Sequence, residues 1–461
     1  YLGVDDTDST GNSTVKIQAA EDITVDEMMA GGGTAELNST TGDVILKELN
    51  AAGDADVTVL AADAFHSQQV NVNGSNVSVT NGGNTTIGPV NAENNAVVTF
   101  RTEGTLTSGN LSADDSTVTI TSGDKTVVGL VNAANQANIT ITTDGTFESD
   151  DLTSDASRIT ITCADNTVTG KIDAKNDALV AVTTEGSFKS EELTAADSAV
   201  NIISGGAATI SNVTAILGAT ISVDAGTSFT TETINASNIG TSVTVTADGT
   251  ADITTLNASD SAEVRVHTAG DITLDTLDME DAVVTITSLS NASGCALPDD
   301  PGINGGGKFT VRYVEADRSR LEIDVWEDLR IFDETNDSIS QEDLMKNVLV
   351  LRDMNVRDQV GSTSDKRGAF LTSRNGAVDS THDDYNVYTA ADGSAYFQQD
   401  GQWYVLESGG SSHRFVKLQS VPNLNGYTDR GKYSLYIGTS DTTSPNYIQK
   451  YDGMLILERS G

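Results

Sequence analysis

A metal ion could bind near the start of the chain. Asp6, Asp8 and Thr10 stand at alternate positions, and Gly11 follows them. Oxygen ligands at alternate positions before a turn glycine are typical of the opening of a calcium loop. The acidic residue that would complete such a loop is missing, because Ile17 occupies its place. We therefore predict a polar loop in which Asp6, Asp8 and Thr10 are the candidate calcium ligands.

The other residues that could take part in catalysis or metal binding are scattered along the chain. Thr381-His382-Asp383-Asp384 contains metal-binding residue types, but four adjacent residues cannot all face one ion, so a surface loop is predicted. The chain contains no nucleophile elbow, phosphate loop or zinc spacing. We name no catalytic residue and predict that the protein is not an enzyme.

A group of aromatic residues lies towards the end of the chain. Tyr396, Phe397, Trp403 and Tyr404 fall in alternating segments joined by Asp-Gly turns, a pattern typical of an antiparallel meander. Two interpretations remain open for these four residues. They are a contact or ligand surface, or they are the core of a C-terminal domain.

The element that must position these residues is a repeat. A four-residue motif, such as VTIT from Val118 or ITIT from Ile139, occurs twelve times between Val57 and Val284, in steps of 20, 21 or 22 residues. Its first and third positions are apolar in every copy, and the intervening positions are mostly Thr or Ser. Alternation with period 2, copied at a fixed interval, predicts a parallel β-solenoid with one coil per repeat.

Larger residues follow a longer period. Phe65, Leu106, Phe147, Phe188 and Phe229 are separated by 41 residues each. A large residue in every second coil would interleave with smaller ones and fill the interior, so the repeat is predicted to be a two-coil unit. With weaker copies from Val15 and Ala35, about fourteen coils are expected.

Charge and aromatic residues change at the same point. Residues 1–290 contain 41 Asp and Glu against 9 Lys and Arg, whereas residues 291–461 contain 26 against 17 and also 17 of the 23 aromatic residues. Residues 291–307 are rich in Gly, Pro and Asn, which is typical of a linker. The prediction is an all-β chain with a parallel β-solenoid over 1–290, a linker over 291–307 and a compact, mostly-β domain over 308–461. Within that domain the segment from Ser340 to Met354 could form a helix.

The strong negative charge limits the partners. A net charge of −41 lacks the basic surface that binds nucleic acid or anionic lipid. No apolar stretch is long enough to span a membrane. Such a surface permits bridging by divalent cations, so calcium is the one cofactor that we consider. Cys163 and Cys295 lie about six coils apart and are expected not to pair.

The repeats resemble a known family. The coils VTFRTEGTLTSGNLSADDST and ITITTDGTFESDDLTSDASR are similar to those of filamentous-haemagglutinin-like secreted exoproteins over residues 15–290. The resemblance implies a right-handed β-helix, an adhesive role, and a place at a microbial cell surface or outside the cell. No secretion signature of that family is present, and residues 308–461 do not share the likeness.

Three functions are weighed. The leading hypothesis is a non-enzymatic extracellular structural protein, either a self-assembling subunit of a surface layer, sheath or filament, or an adhesin stalk. Head-to-tail contacts between copies would form the assembly, and glycans or a host or neighbouring cell surface are further partners. The alternative is a carbohydrate- or receptor-binding fibre with its ligand site in the C-terminal domain. A polysaccharide-degrading β-helix enzyme is third, because the short steps leave no residues for the walls of a cleft.

Overall fold

The computed structural model describes the backbone of residues 2–10, 14–292, 294–297, 302–317, 319–327 and 329–331 and of nine later strands. Side chains are described for residues 14–292, 294–297, 302–311, 314 and 319–327. The described chain is entirely β-structure, and its stacked coils form a parallel β-solenoid of about 13 turns, which confirms the predicted fold class.

The chain divides into two units, residues 1–214 with 218–225 and residues 215–217 with 226–461. Strands of the first unit are β1 (Leu2–Thr10), β2 (Thr14–Ala19), β3 (Ile23–Gly31), β4 (Thr34–Ser39), β5 (Val44–Ala52), β6 (Asp56–Ala61), β7 (Phe65–Asn73), β8 (Asn76–Asn81), β9 (Thr85–Ile87), β10 (Val90–Glu93), β11 (Val97–Thr102), β12 (Leu106–Ser108), β13 (Leu111–Asp114), β14 (Thr117–Ser122), β15 (Thr126–Val128), β16 (Val131–Ala134), β17 (Asn138–Thr143), β18 (Phe147–Ser149), β19 (Leu152–Asp155), β20 (Arg158–Cys163), β21 (Thr167–Lys175), β22 (Leu179–Thr184), β23 (Phe188–Ala196), β24 (Ala199–Ser204), β25 (Ala208–Ile216, ending in the second unit) and β26 (Thr220–Ala225).

Strands of the second unit are β27 (Phe229–Ser237), β28 (Ser242–Ala247), β29 (Ala251–Ser259), β30 (Glu263–Thr268), β31 (Ile272–Glu280), β32 (Val283–Ser288), β33 (Ser290–Asn291), β34 (Gly294–Cys295), β35 (Phe309–Asp317), β36 (Arg320–Val325), β37 (Leu329–Ile331), β38 (Leu349–Arg352), β39 (Gly368–Ser373), β40 (Tyr385–Thr389), β41 (Ala395–Gln399), β42 (Gln402–Gly409), β43 (Ser412–Lys417), β44 (Thr428–Tyr433), β45 (Gln449–Tyr451) and β46 (Met454–Ile456).

Each coil of the first unit contributes to two parallel sheets. One sheet takes a six-residue strand such as β14 or β17, in which the second, fourth and sixth residues are buried. The other takes a nine-residue strand such as β5. The two successive outward residues in the middle of that strand bend it, and in four coils the bend breaks it into pieces of three and four residues. Consecutive coils pair in register, so equivalent residues stack along the unit.

The interior follows the predicted two-coil period. Phe147 on β18 pairs with Thr126 on one side and Thr167 on the other, and none of the three is exposed. Leu106 likewise lies between Thr85 and Thr126. A large side chain in one coil therefore packs between small ones in its neighbours, the alternation that a close-packed core requires.

The turns before the six-residue strands explain why the steps alternate in length. From Gly53 to Asp197, two successive residues in every second coil have positive φ, as at Asn94 and Asn95, whereas the coils between have only one, as at Asp115. In these single-residue turns a serine follows. The Ser116 hydroxyl accepts a hydrogen bond from Ala96 N at 3.1 Å and donates one to Asp114 O at 2.8 Å. Ser75 and Ser157 repeat the arrangement 41 residues away on either side.

The solenoid does not end at residue 290 as predicted. In the second unit β35 pairs in parallel with β31, β36 with β32, and β39 with β36. Phe309 and Val311 are fully buried in the continuing core. Residues 291–307, predicted as a linker between domains, are instead an insertion within one coil. The Gly and Pro content that marks a linker marks an insertion equally well.

The last part of the chain contains a different sheet. Strands β43-β42-β41-β40-β44 form an antiparallel sheet, which agrees with the predicted meander, and β45 pairs with β46. The predicted helix from Ser340 is wrong where the structure describes it, because Leu349–Arg352 is a strand paired with β35. Residues 340–348 lie outside the described part.

Candidate functional surfaces

The predicted calcium ligands lie on a strand. Residues 2–10 form β1, which pairs with β3, so this segment is extended where the sequence predicted a loop. The backbone register sets Asp6 opposite Glu27, Asp8 opposite Met29 and Thr10 opposite Gly31. The side chains of β1 are outside the described residues, and their binding of calcium stays a prediction. Among the side chains that are described, no three His, Cys, Asp or Glu residues converge on a possible metal site.

For the predicted aromatic surface, too, the structure describes only the backbone. Tyr396 and Phe397 belong to β41, and Trp403 and Tyr404 to β42. The register sets Phe397 opposite Tyr404 and Trp403 opposite Gln398. Their side chains, like Thr381 to Asp384, fall outside the described residues, so the role of this surface as a contact or ligand site stays a prediction.

An array of threonines covers part of the sheet that is formed by the six-residue strands. Thr119, Thr140 and Thr160 are register partners on β14, β17 and β20, and Thr121, Thr142 and Thr162 form a second column beside them. All six are half-buried or exposed. The array adds no charge to an otherwise acidic molecule.

Cys163 occupies a position that its neighbours use for a hydroxyl. Thr143 and Thr184 are its register partners. The Cys163 side chain is buried, and Sγ donates to Gly145 O at 2.9 Å. Two coils earlier, the equivalent hydroxyls of Ser122 and Thr126 lie 2.6 Å apart. At the Cys163 coil the buried Thr167 hydroxyl has no hydrogen-bond partner among the described residues. We interpret this cysteine as a structural residue.

We expect Cys163→Ser to stabilise the protein. A serine hydroxyl can serve both Gly145 O and the Thr167 hydroxyl, and one recovered buried hydrogen bond contributes about 1 kcal/mol to the free energy of unfolding. Urea unfolding followed by circular dichroism measures the change. Cys163→Val, which has similar size and no donor, should lower stability by about the same amount. A serine variant less stable than the wild type would contradict this interpretation.

Two outward side chains close to the insertion are buried in the second unit. The insertion follows β32, and Cys295 N lies 3.5 Å from Asp248 Oδ1 in the turn after β28. We infer that the insertion passes over the end of β30, the strand between them. His267 on β30 is only 7% exposed and Thr287 on β32 is 0% exposed, although both occupy outward positions. Sequence analysis missed this cover because it assigned the segment to a linker.

Burial changes the protonation of His267. Loss of hydration lowers the pKa of the imidazole below its ordinary value of 6.5, and the nearby Arg265 guanidinium lowers it further. Its Nδ1 atom has no hydrogen-bond partner among the described residues. The folded protein therefore holds this histidine neutral at pH values at which the unfolded chain would already bind a proton.

Acid should weaken the protein through His267. Below its unfolded pKa the unfolded chain binds more protons than the folded one, so the stability contributed by the neutral imidazole is lost as the pH falls from 6.5 towards the lower folded pKa. We expect the melting temperature to fall further for the wild type than for His267→Gln when the pH is lowered from about 7.5 to about 5. The variant keeps every carboxylate of the wild type, so protonation of the carboxylates affects both proteins equally. Equal shifts in the two proteins would contradict the expectation.

The sequence and structure comparisons identify no relatives. No protein-family model, no curated protein and no solved structure matches the chain. Within the described residues, no helix has the length and apolar character needed to cross a membrane.

Proposed function

We propose that the chain is a non-enzymatic, extracellular structural protein, a subunit that assembles with copies of itself into a surface layer, sheath or filament or forms the stalk of an adhesin. The observation that carries the proposal is the in-register stacking of equivalent coils. Between β4 and β24 every six-residue strand pairs with the next in the same parallel register.

The contacts between coils suit a load-bearing role. Buried apolar columns are reinforced by side chains in the turns that accept hydrogen bonds from the backbone of the next coil. Asp43 Oδ1 accepts from Ala64 N at 2.8 Å, Asn84 Oδ1 from Thr105 N at 3.0 Å, and Asp151 Oδ1 from Lys171 N at 2.8 Å. Because the stability of such a stack is the sum of its coil-to-coil interfaces, strength is distributed along the whole solenoid.

The same surfaces can act between copies. The edge of any coil presents backbone donors and acceptors in the pattern that the next coil satisfies. A strand of another copy can complete that pattern by adding to the sheet. Contacts of this kind join two different surfaces, so they generate an open filament or layer rather than a closed dimer.

The acidic surface makes assembly dependent on cations. Several of the few basic residues are already engaged, as in Lys16 with Glu36 at 2.8 Å, Lys125 with Glu148 at 2.6 Å and Lys171 with Glu192 at 2.9 Å. The Glu192 carboxylate also raises the pKa of Lys171. Most of the 67 acidic residues remain uncompensated by the 26 basic ones. Copies therefore repel one another at low ionic strength, and divalent cations between facing carboxylates would relieve the repulsion.

Sedimentation velocity of the purified chain tests the proposal. We expect slowly sedimenting single copies in a chelator and large species on addition of calcium, with reversal when the chelator is restored. Sodium chloride at matched ionic strength is the control, because it screens charge without bridging. Single copies under all conditions, at concentrations where surface proteins assemble, would overturn the self-assembling form of the proposal.

A further inference from the structure

A groove crosses four coils of the first unit on the later half of the nine-residue strands. It has a volume of about 570 Å³ and is lined by residues of β3, β5, β7 and β10. Gly31 and Ala52 are register partners at one outward column and have little or no side chain to fill the space. The volume falls within the roughly 300–1,000 Å³ range of small-ligand sites.

Side-chain amides form the floor of the groove. Asn50, Asn71 and Asn91 are register partners on β5, β7 and β10. Asn71 Nδ2 donates to Asn50 Oδ1 at 2.8 Å, and Asn91 Nδ2 donates to Asn71 Oδ1 at 2.9 Å. Gln69 Nε2 also donates to Asn71 Oδ1, at 3.0 Å. These bonds fix the direction of each amide.

The ladder uses only part of the bonding capacity of its amides. A carboxamide has two N–H donors and an oxygen that accepts two hydrogen bonds. Asn50 contributes only its oxygen to the ladder and Asn91 contributes only one N–H. N–H donors that the ladder does not use therefore repeat along the groove at the spacing of the strands, about 4.8 Å, and the Asn91 oxygen is an acceptor outside the ladder at one end.

The charge of the groove differs from that of the rest of the molecule. Glu93 is its only charged lining residue, in a protein with a net charge of −41. In the following coils the same outward column carries Asp114 and, two coils further, Asp155. The run of uncharged residues is therefore local to this groove.

We propose that this groove binds a neutral glycan that lies along the stacked coils. Sugar hydroxyls both donate and accept hydrogen bonds, as the fixed amides require, and Met29, which is 43% exposed, offers an apolar surface for the face of a sugar ring. Glu93 can accept from two neighbouring hydroxyls at one end. An anionic polymer would be repelled and would meet no lysine or arginine in the lining. The site does not depend on self-assembly, so it goes beyond the structural role.

Isothermal titration of the full chain with neutral hexasaccharides tests the proposal, with glucan, xylan, mannan and chitin types as probes and polygalacturonate as the anionic comparison. We expect at least one neutral probe to bind and polygalacturonate not to bind. Asn71→Ala should weaken binding by about fivefold, the effect of one lost hydrogen bond of ordinary strength. Asn132→Ala is the matched control, because Asn132 occupies the same outward column on β16, outside the groove.

A second variant separates binding from folding. Ala52 is exposed in the groove and takes no part in the ladder, so Ala52→Gln fills the space while leaving all the ladder residues in the chain. It should weaken binding as strongly as Asn71→Ala while leaving the circular dichroism spectrum and melting temperature unchanged. Binding of no neutral probe would overturn the proposal. So would equal weakening by Asn132→Ala, or full binding by Ala52→Gln.

Discussion

Phe147→Ala should lower the free energy of unfolding by about 3–5 kcal/mol, the loss expected when a fully buried phenylalanine is truncated. Phe147 is 0% exposed and packs between the coils of Thr126 and Thr167. Because its register partners are small, they cannot move in to fill the cavity. Urea unfolding followed by circular dichroism at a single temperature measures the change.

The adjacent residue provides the matched control. Glu148 points away from the core and forms an exposed ion pair with Lys125 at 2.6 Å. Glu148→Ala should therefore change the free energy of unfolding by less than about 1 kcal/mol. If Phe147→Ala cost no more than Glu148→Ala, the large-and-small alternation of the interior would be wrong.

Gly88→Ala should lower the free energy of unfolding by about 3 kcal/mol, the upper part of the range for overpacking. Gly88 lies at the bend between β9 and β10, where its N–H donates to Ser67 O at 2.9 Å. A Cβ atom there would lie 1.8 Å from Gln68 O and 2.7 Å from Gln68 C. Both are backbone atoms of the preceding coil, so neither can rotate away and the two coils must separate.

Gly302→Ala serves as the comparison for that substitution. A Cβ atom at Gly302 would meet nothing within 4 Å. Its effect should stay within about 0.5 kcal/mol, as for most surface substitutions. Both variants are measured by the same unfolding experiment. Equal stability of the two would mean that the coils at Gly88 are not in the close contact described above.

Sequence alone predicted the coils and their interior because both depend on simple periods. Alternation with period 2 identifies the buried side of each strand. The spacing of 41 residues from Phe147 to Phe188 identifies the two-coil unit. What the sequence did not reveal was the reason for that unit, an extra positive-φ turn residue in one coil and a bridging serine in the next. Turn conformation of this kind leaves only a weak trace in composition, because Asn, Asp, Gln and Ala all occupy the positive-φ positions.

The end of the solenoid was misplaced for a physical reason. Leu321 and Ile323 repeat the alternation of Val284 and Ile286, with which they pair. The insertion lengthens that step to 37 residues, so the period is lost. Ser319 marks the continuation beyond the insertion, because its hydroxyl accepts from Ala282 N as the earlier serines accept from the coil before them.

The groove was missed although its residues carried a signal. Asn50, Asn71 and Asn91 recur at the repeat spacing, next to the buried column that includes Ala92. Whether such residues line a depression depends on their neighbours across coils, and on how small residues such as Gly31 and Ala52 leave space beside them. That information exists only when the register is known. The calcium and aromatic sites stay predictions, because their side chains lie outside the described residues.

Electron microscopy and diffraction of the protein with and without calcium test the central claim most directly. The proposed role predicts filaments or layers that form with calcium, disperse in a chelator, and diffract at about 4.8 Å along the direction in which the coils stack. Isolated particles under both conditions, or aggregates without that spacing, would contradict the proposal that these coils build an extended assembly.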